Sequence, residues 1–429
     1  MRFRTFSTLP GPLQQRRTLW LALACSLGLV LALYLAGGWR PYVSAPAGFH
    51  YGINSPFDML AFLLPPGWWV QAQQALLILR TALAGWCICL YLVRHFGSSC
   101  RLFAPLSAGY AAAVYTGCII NLVWVDAALL LPLLLAAADR ALRGQGGRAM
   151  AALCFVCVVS NCYTAWPVCL FCLLYGLWQL LALPGALDWR RVCRAMRRLA
   201  AAMLPGVALA LLLVLPVVIT QYHSDAFQFL PGSADFGFGP MALAYCLFFG
   251  RYSSACAAAG MPYLYIGSAA LMLALCYFLG SAPTRAKFVS ALLTAGVAAS
   301  YLLELPGVSW QNGDDLAVFP FRYGFLLSAM LILFAADTLV HAAPPVPALG
   351  AGLFLAAIYL LGYRGTVGSA ARLWRLAAGA VLYLACCVLL RQRARHGWQR
   401  QAGKVLAVLM LADVVVSSCI SLYGGFLWL

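Results

Sequence analysis

The segment Asn121-Leu-Val-Trp-Val-Asp126 places an amide, an indole and a carboxylate between two apolar runs. Such groups do chemistry on polar ligands, and lipid penalises them. A charge at the centre of a spanning helix costs about 2.5–3.5 kcal/mol on insertion scales, so it faces a cavity or a partner. Asp126 suits three tasks at a helix mouth: general base, ligand to a divalent cation, or N-cap-like tether favoured by the helix dipole. Arg80 lies mid-run in Leu77-Ile-Leu-Arg-Thr-Ala-Leu-Ala-Gly85. A buried guanidinium needs an anion, and its planar fork fits a ligand phosphate or a carboxylate such as Asp58. Arg322, in Phe319-Pro-Phe-Arg-Tyr-Gly-Phe325, suits either an aromatic-belt anchor or a clamp on an anionic headgroup, and Arg251 beside Tyr252 repeats that pattern. Asn161-Cys-Tyr163, followed by Trp166, offers an amide and ring faces to a sugar, or an interhelical hydrogen bond. His50 and His223 stand alone, and Asp413 suits pairing with a neighbouring helix.

The elements that must position these residues follow from composition. The 429 residues are 64% hydrophobic and 9% charged, against about 25% charged in soluble proteins. Apolar runs of about 20 residues recur along the chain, each long enough for a ~30 Å hydrocarbon core, and they lack the alternation of a membrane barrel. The reading is an all-α polytopic membrane protein, a single integral domain over residues 1–429 with about 13 transmembrane helices. The spans fall near 19–37, 72–93, 102–118, 126–142, 149–166, 167–183, 199–219, 261–280, 286–305, 321–341, 346–363, 374–390 and 404–428. The N-terminal run follows basic residues without a clear small-residue cleavage site, so it reads as a retained first helix.

The net charge of +17 records topology and not a nucleic-acid partner. Basic residues cluster in short loops at Arg16/Arg17, Arg94/Arg101, Arg140/Arg143/Arg148, Arg190 to Arg198, Arg285/Lys287 and Arg391 to Lys404, while Asp58, Asp126, Asp225, Asp235, Glu304, Asp314 and Asp315 fall in the alternate ones. The positive-inside rule then puts the N-terminus in the cytoplasm. It leaves Arg364, Arg372 and Arg375 outside, against the rule. Polar material gathers in the outer segments 38–71, 220–260 and 306–320, the first with a re-entrant or interfacial stretch near 55–66. The 17 cysteines lie mostly in apolar runs. Cys154-Phe-Val-Cys157 and Cys169-Leu-Phe-Cys172 have metal-like spacing in apolar surroundings and read as helix packing, so no metal site is assigned. No phosphate-binding loop motif is present, so ATP-driven transport is not expected.

In order along the chain stand Ser55-Pro-Phe-Asp-Met-Leu60; Arg80-Thr-Ala-Leu-Ala-Gly85; Ala108-Gly-Tyr110, leading into Asn121, Trp124-Val-Asp-Ala127 and Leu131-Pro132; Asn161-Cys-Tyr163; Pro262-Tyr-Leu-Tyr-Ile-Gly267; and Phe319-Pro-Phe-Arg-Tyr-Gly-Phe325. In these segments the chain resembles the YfhO-like family of bacterial membrane proteins, of the GT-C class of glycosyltransferases. The resemblance implies a GT-C-like enzyme of the bacterial cytoplasmic membrane. It would take a sugar from a polyprenyl-phosphate carrier and place it on a cell-envelope polymer, such as a teichoic acid, outside the membrane. It implies Asp126 or Asp58 as base, with Arg80, Arg322 and Arg251 on the donor phosphate. Asn121, Trp124, Asn161, Tyr163 and Tyr323 would contact sugar or acceptor. No cofactor is implied with certainty, a divalent cation being the one candidate; membrane lipids are the remaining partners. The chain departs from the family in three places. Residues 38–57 hold no Asp or Glu, Gln311 stands where relatives have His, and relatives continue into a large outer domain, which implies a shortened member. Two other functions fit the same residues: a flippase or transporter of a lipid-linked substrate, and a catalytically inactive scaffold in envelope assembly.

Overall fold

The computed structural model describes residues 12–36, 55–118, 125–222, 240–252, 261–280, 282–302, 323–341, 350–355, 357, 370–393 and 399–423. Among these residues no strand occurs. The helices are α1 (Pro12–Ala36), α2 (Trp69–Phe96), α3 (Phe103–Cys118), α4 (Val125–Leu142), α5 (Gly147–Ser160), α6 (Cys162–Leu181), α7 (Trp189–Tyr222), α8 (Pro240–Tyr245), α9 (Ser268–Leu279), α10 (Thr284–Ala299), α11 (Gly324–Val340), α12 (Ala370–Arg393) and α13 (Gln399–Tyr423). Residues 350–355 are also helical. Five described helices are long and apolar enough to cross a membrane: Leu13–Ala36, Trp69–Phe96, Cys162–Leu181, Trp189–Leu215 and Gln401–Ser421.

Side-chain contacts fix the direction of each helix. Tyr34 OH donates to Gln74 Oε1 (2.8 Å) and Thr18 Oγ1 to the Ser99 carbonyl (3.3 Å), so α1 runs antiparallel to α2. Arg80 meets Asp126 and His95 meets Asp139, so α2 and α4 run parallel, with α3 returning between them. Gly147 lies against Ala202, and a Cβ on Gly206 would collide with the Ala151 carbonyl, so α5 and α7 are parallel and in close contact. Small residues permit such approach where lipid supplies no hydrophobic drive between helices. The bundle therefore has two ends. One carries Ser55, Asp126, Asn161 and Tyr323. The other, the basic end, carries Arg16, Arg94, Arg140, Arg148, Arg190 to Arg198 and Arg285.

Helices α3 and α11 are buried almost throughout, whereas α1 and α7 expose Trp20, Leu31, Leu35, Leu204, Leu212 and Leu213. Apolar faces of that extent suit lipid and not water. Pro132, inside α4, cannot donate to the Ala128 carbonyl one turn earlier. Tyr110 OH donates to that carbonyl instead, at 2.8 Å. A proline in a membrane helix is tolerated where a neighbour satisfies the freed group.

The structure corrects two expected boundaries and extends one helix beyond its expected span. The fifth and sixth spans divide at Asn161 and not near 166, because Asn161 is extended (φ −166°, ψ 107°) and Pro167 sits within α6. Helix α7 begins at Trp189, ten residues before the expected 199. The expected span 261–280 is helical only from Ser268; residues 261–267 are non-helical and, from Pro262 on, buried. Gly267 (φ +106°) ends that stretch in a conformation that side chains disfavour. Gly109 admits it, since a Cβ there would lie 2.5 Å from the Ile266 carbonyl. Of the expected span 346–363, only residues 350–355 and 357 are described.

Candidate functional site

Three segments meet at Asp126. The carboxylate lies in the first turn of α4, where the helix dipole favours a negative charge. Its Oδ1 is 2.9 Å from Arg80 Nη1, and its Oδ2 accepts a short hydrogen bond from Ser55 Oγ. Asp126 is 0% and Arg80 1% exposed. At such depth each charge alone would be costly, and the pair is tolerable because each neutralises the other and hydrogen bonds complete the shell. Arg80 Nε also donates to the Leu76 carbonyl at 3.3 Å.

Ser55 carries this junction toward the surface. Its carbonyl accepts from Met59 N at 3.1 Å, and the Phe57 carbonyl from Leu60 N at 3.2 Å. The 3-10 turn Asp58–Leu63 is thereby fastened to Asp126. Asp58 opens that turn and is described through its backbone. Beyond it Met59, Leu60, Leu63 and Trp68 are exposed. Arg80, Asp126 and the Asp58 turn thus form one constellation.

The other described candidate residues have differing roles. Asn161 is the N-cap of α6: its Oδ1 accepts from Tyr163 N (3.0 Å) and Thr164 N (3.2 Å). Tyr163 is buried. Tyr323 is wholly buried, its ring stacked on Tyr301 with centroids 5.1 Å apart. Its hydroxyl donates toward Ser300 at 3.1 Å. Both tyrosines lie at the Asp126 end. Arg251 lies with its guanidinium carbon 5.1 Å from the Tyr245 ring centre. Gly250 beside it donates its N–H to Ser417 Oγ of α13 (3.0 Å). Asn121, Trp124, Arg322, His50 and His223 lie outside the described residues.

Two further polar clusters are present, and the first escaped the reading of the sequence. At the basic end, His95 Nδ1 lies 2.7 Å from Asp139 Oδ2, and Tyr175 OH donates to Asp139 Oδ1 at 2.7 Å. Tyr91 OH and Gln179 Nε2 reach Tyr175 OH at 2.7 and 3.1 Å. An acid one turn before the end of an apolar run, among arginines, was the available signal. The second cluster is centred on Asp413. Its carboxylate accepts from Ser268 N (2.6 Å), Ser268 Oγ (3.2 Å) and Tyr265 OH. Asp413 therefore caps α9 from α13, which is the helix pairing expected for it.

Among the described residues no group of three or more His, Cys, Asp or Glu is arranged to hold a metal ion. Both oxygens of Asp126 are engaged by Arg80 and Ser55. The cysteines of the two Cys-x-x-Cys segments are free thiols, with Cys154, Cys157 and Cys172 buried in the apolar core.

The family model described as bacterial membrane protein YfhO matches residues 45–425, which includes every element of this constellation. No curated protein and no solved structure matches the chain.

Proposed function

Because the chain belongs to the YfhO family of bacterial membrane proteins, we propose that it is a membrane glycosyltransferase with a GT-C-like arrangement of about 13 spans. It uses a polyprenyl-phosphate sugar as donor and a teichoic-acid-like envelope polymer as acceptor. It lies in the cytoplasmic membrane with its N-terminus and basic end inside, and transfers sugar at the Asp126 end, outside. The observation that carries this reading is the convergence of Arg80, Asp126 and the Asp58 turn at one end of the bundle.

The chemistry assigns a distinct task to each residue. Asp126, with both oxygens engaged, is a positioning residue: it holds Arg80 in place and fastens the Ser55–Asp58 segment. Asp58 is the general base. An acceptor hydroxyl attacks the anomeric carbon, its proton passes to Asp58, and the bond from that carbon to the phosphate oxygen breaks. The polyprenyl phosphate departs with the electron pair as an anion, so no strong acid is required. Arg80, with Arg322 and Arg251, supplies positive charge where charge builds on the phosphate. Asn121, Trp124, Asn161, Tyr163 and Tyr323 shape the sugar and acceptor side. Such base catalysis is worth about 10²–10⁴-fold.

Cells lacking the chain, complemented with wild type, Asp58→Asn or Arg80→Met, test this. The reading expects polymer-linked sugar to return with wild type and with neither variant, at equal protein levels. Unchanged polymer sugar in the deletion strain sinks it. The complete burial and mutual neutralisation of Arg80 and Asp126 favour one competing reading, an inactive scaffold in envelope assembly. That reading expects Asp58→Asn to restore polymer sugar as fully as wild type.

A further inference from the structure

Helix α7 has 34 residues, about 51 Å at 1.5 Å per residue. That exceeds the ~30 Å core of a bilayer, so its first turns extend past the hydrocarbon at the basic end. There Val192, Ala195, Leu199 and Met203 form a buried stripe at helical spacing. Leu199 and Met196 pack toward Gly176 of α6. The opposite face is exposed and carries Arg190, Arg191, Arg194, Arg197 and Arg198. Trp189 beside them is 59% exposed, an interfacial side chain at the level where the arginines begin.

This ridge is continuous with a second group of arginines. Gly144 and Gly146, in the turn between α4 and α5, both have positive φ (+81° and +71°). A Cβ at Gly144 would lie 3.5 Å from Arg198 Nη1, and one at Gly146 would lie 3.1 Å from Arg140 Nε. The two glycines are two positions apart, at most about 7 Å along the chain. Two guanidiniums from different helices therefore flank one turn at its two glycines. The carboxylates at this end are engaged elsewhere. Asp139 is held by His95 and Tyr175, Asp188 accepts from Arg190 N (3.0 Å) and Arg191 N (3.3 Å) as the helix cap, and Asp337 of α11 lies 3.4 Å from His341 Nδ1. Among the described residues no carboxylate pairs with Arg140, Arg194, Arg197 or Arg198.

We propose that Arg140 and Arg198, with Arg194 and Arg197, form a binding site for the headgroup phosphate of an anionic phospholipid in the leaflet at the basic end. Charge complementarity argues for this occupant. The guanidiniums stand at headgroup depth, their planar forks match phosphate oxygens, and the exposed Trp189, Leu204 and Leu212 of α7 offer the acyl chains an apolar surface alongside. The occupant is a leaflet lipid and not free phosphate, because the patch adjoins the lipid-facing surface of α7, where Leu204 and Leu212 are exposed.

The test uses the purified full-length chain in detergent. Native mass spectrometry measures retention of phosphatidylglycerol against phosphatidylcholine. Wild type is expected to retain phosphatidylglycerol preferentially. Arg140→Gln/Arg198→Gln is expected to lose roughly fivefold in that preference for each arginine removed. Arg16→Gln/Arg17→Gln, at the same end but away from the turn, is expected to keep it. Equal retention of the two lipids by wild type overturns the proposal, independently of any variant. So does an equal loss in both double variants, which would mean diffuse charge and no site. Competition by millimolar inorganic phosphate as strong as that by phosphatidylglycerol also overturns it, by reassigning the patch to a free anion.

Discussion

Arg80 and Asp126 are the residues on which the account turns, and their pairing makes a stability prediction of its own. Removing one member of a buried ion pair leaves an uncompensated charge and costs about 3–5 kcal/mol, whereas apolar replacement of both is far milder. Arg80→Met and Asp126→Leu should each lower the unfolding temperature in detergent, and the double variant should sit above either single one. Additive losses in the double variant would show that the two side chains do not interact. Both residues were conspicuous in the sequence, because a charge within an apolar run must have a partner. Which partner was not legible. The sequence left Arg80 open between a ligand phosphate and a carboxylate such as Asp58. The structure gives it Asp126, 46 positions away, and no local pattern encodes a contact at that separation. The same limit hid His95 with Asp139, whose chemistry exists only once α2, α4 and α6 are assembled.

At the scale of elements, apolar run length located the helices well but misplaced irregular backbone that is buried. Residues 261–267 are as apolar as a helix and lie within an expected span. Two features set them apart: Gly267 with positive φ, and the carboxylate of Asp413, which takes the Ser268 N–H that a helix start leaves open. Backbone of this kind is tolerated at membrane depth only where protein encloses it. Pro262 and Gly267 were visible; the acceptor, 145 positions away, was not. Asp413→Ala should therefore destabilise α9, by about 1–3 kcal/mol for each buried donor left unsatisfied. Asp413→Asn keeps an acceptor oxygen and should lose less. Thermal unfolding of the purified variants distinguishes them, and an alanine variant as stable as wild type would remove the capping role. Tyr110 and Pro132 teach a related lesson. Both stand in segments that carry the family resemblance, and their contact through the Ala128 carbonyl shows that a motif residue can serve packing.

For the whole molecule, the proposed orientation rests on the separation of charge between the two ends. Composition alone established a helical membrane protein, and the alternation of basic loops anticipated the end at which the arginines collect. Cys193, the exposed thiol among the described cysteines, stands on α7 between Arg191 and Arg194 at that end. A membrane-impermeant maleimide should label it in inside-out vesicles and not in intact cells, and Cys193→Ser should abolish the signal. Labelling in intact cells would invert the proposed orientation and move the Asp126 end to the cytoplasm. Thermodynamically, the lipid-exposed faces of α1 and α7 mean that stability belongs to protein and bilayer together, so variants are compared in one lipid composition.

In the proposed mechanism the Asp58 turn, fastened by Ser55 to Asp126, delivers the base of a sugar transfer. Its most direct test is the initial rate at which purified protein in liposomes moves labelled sugar from polyprenyl-phosphate glucose, or its N-acetylglucosamine counterpart, onto purified teichoic-acid polymer. Wild type should transfer at least one of these sugars, and Asp58→Asn should lower the rate by about 10²-fold or more. Transfer by Asp58→Asn within a few-fold of wild type, in protein of equal stability, would remove Asp58 as the base.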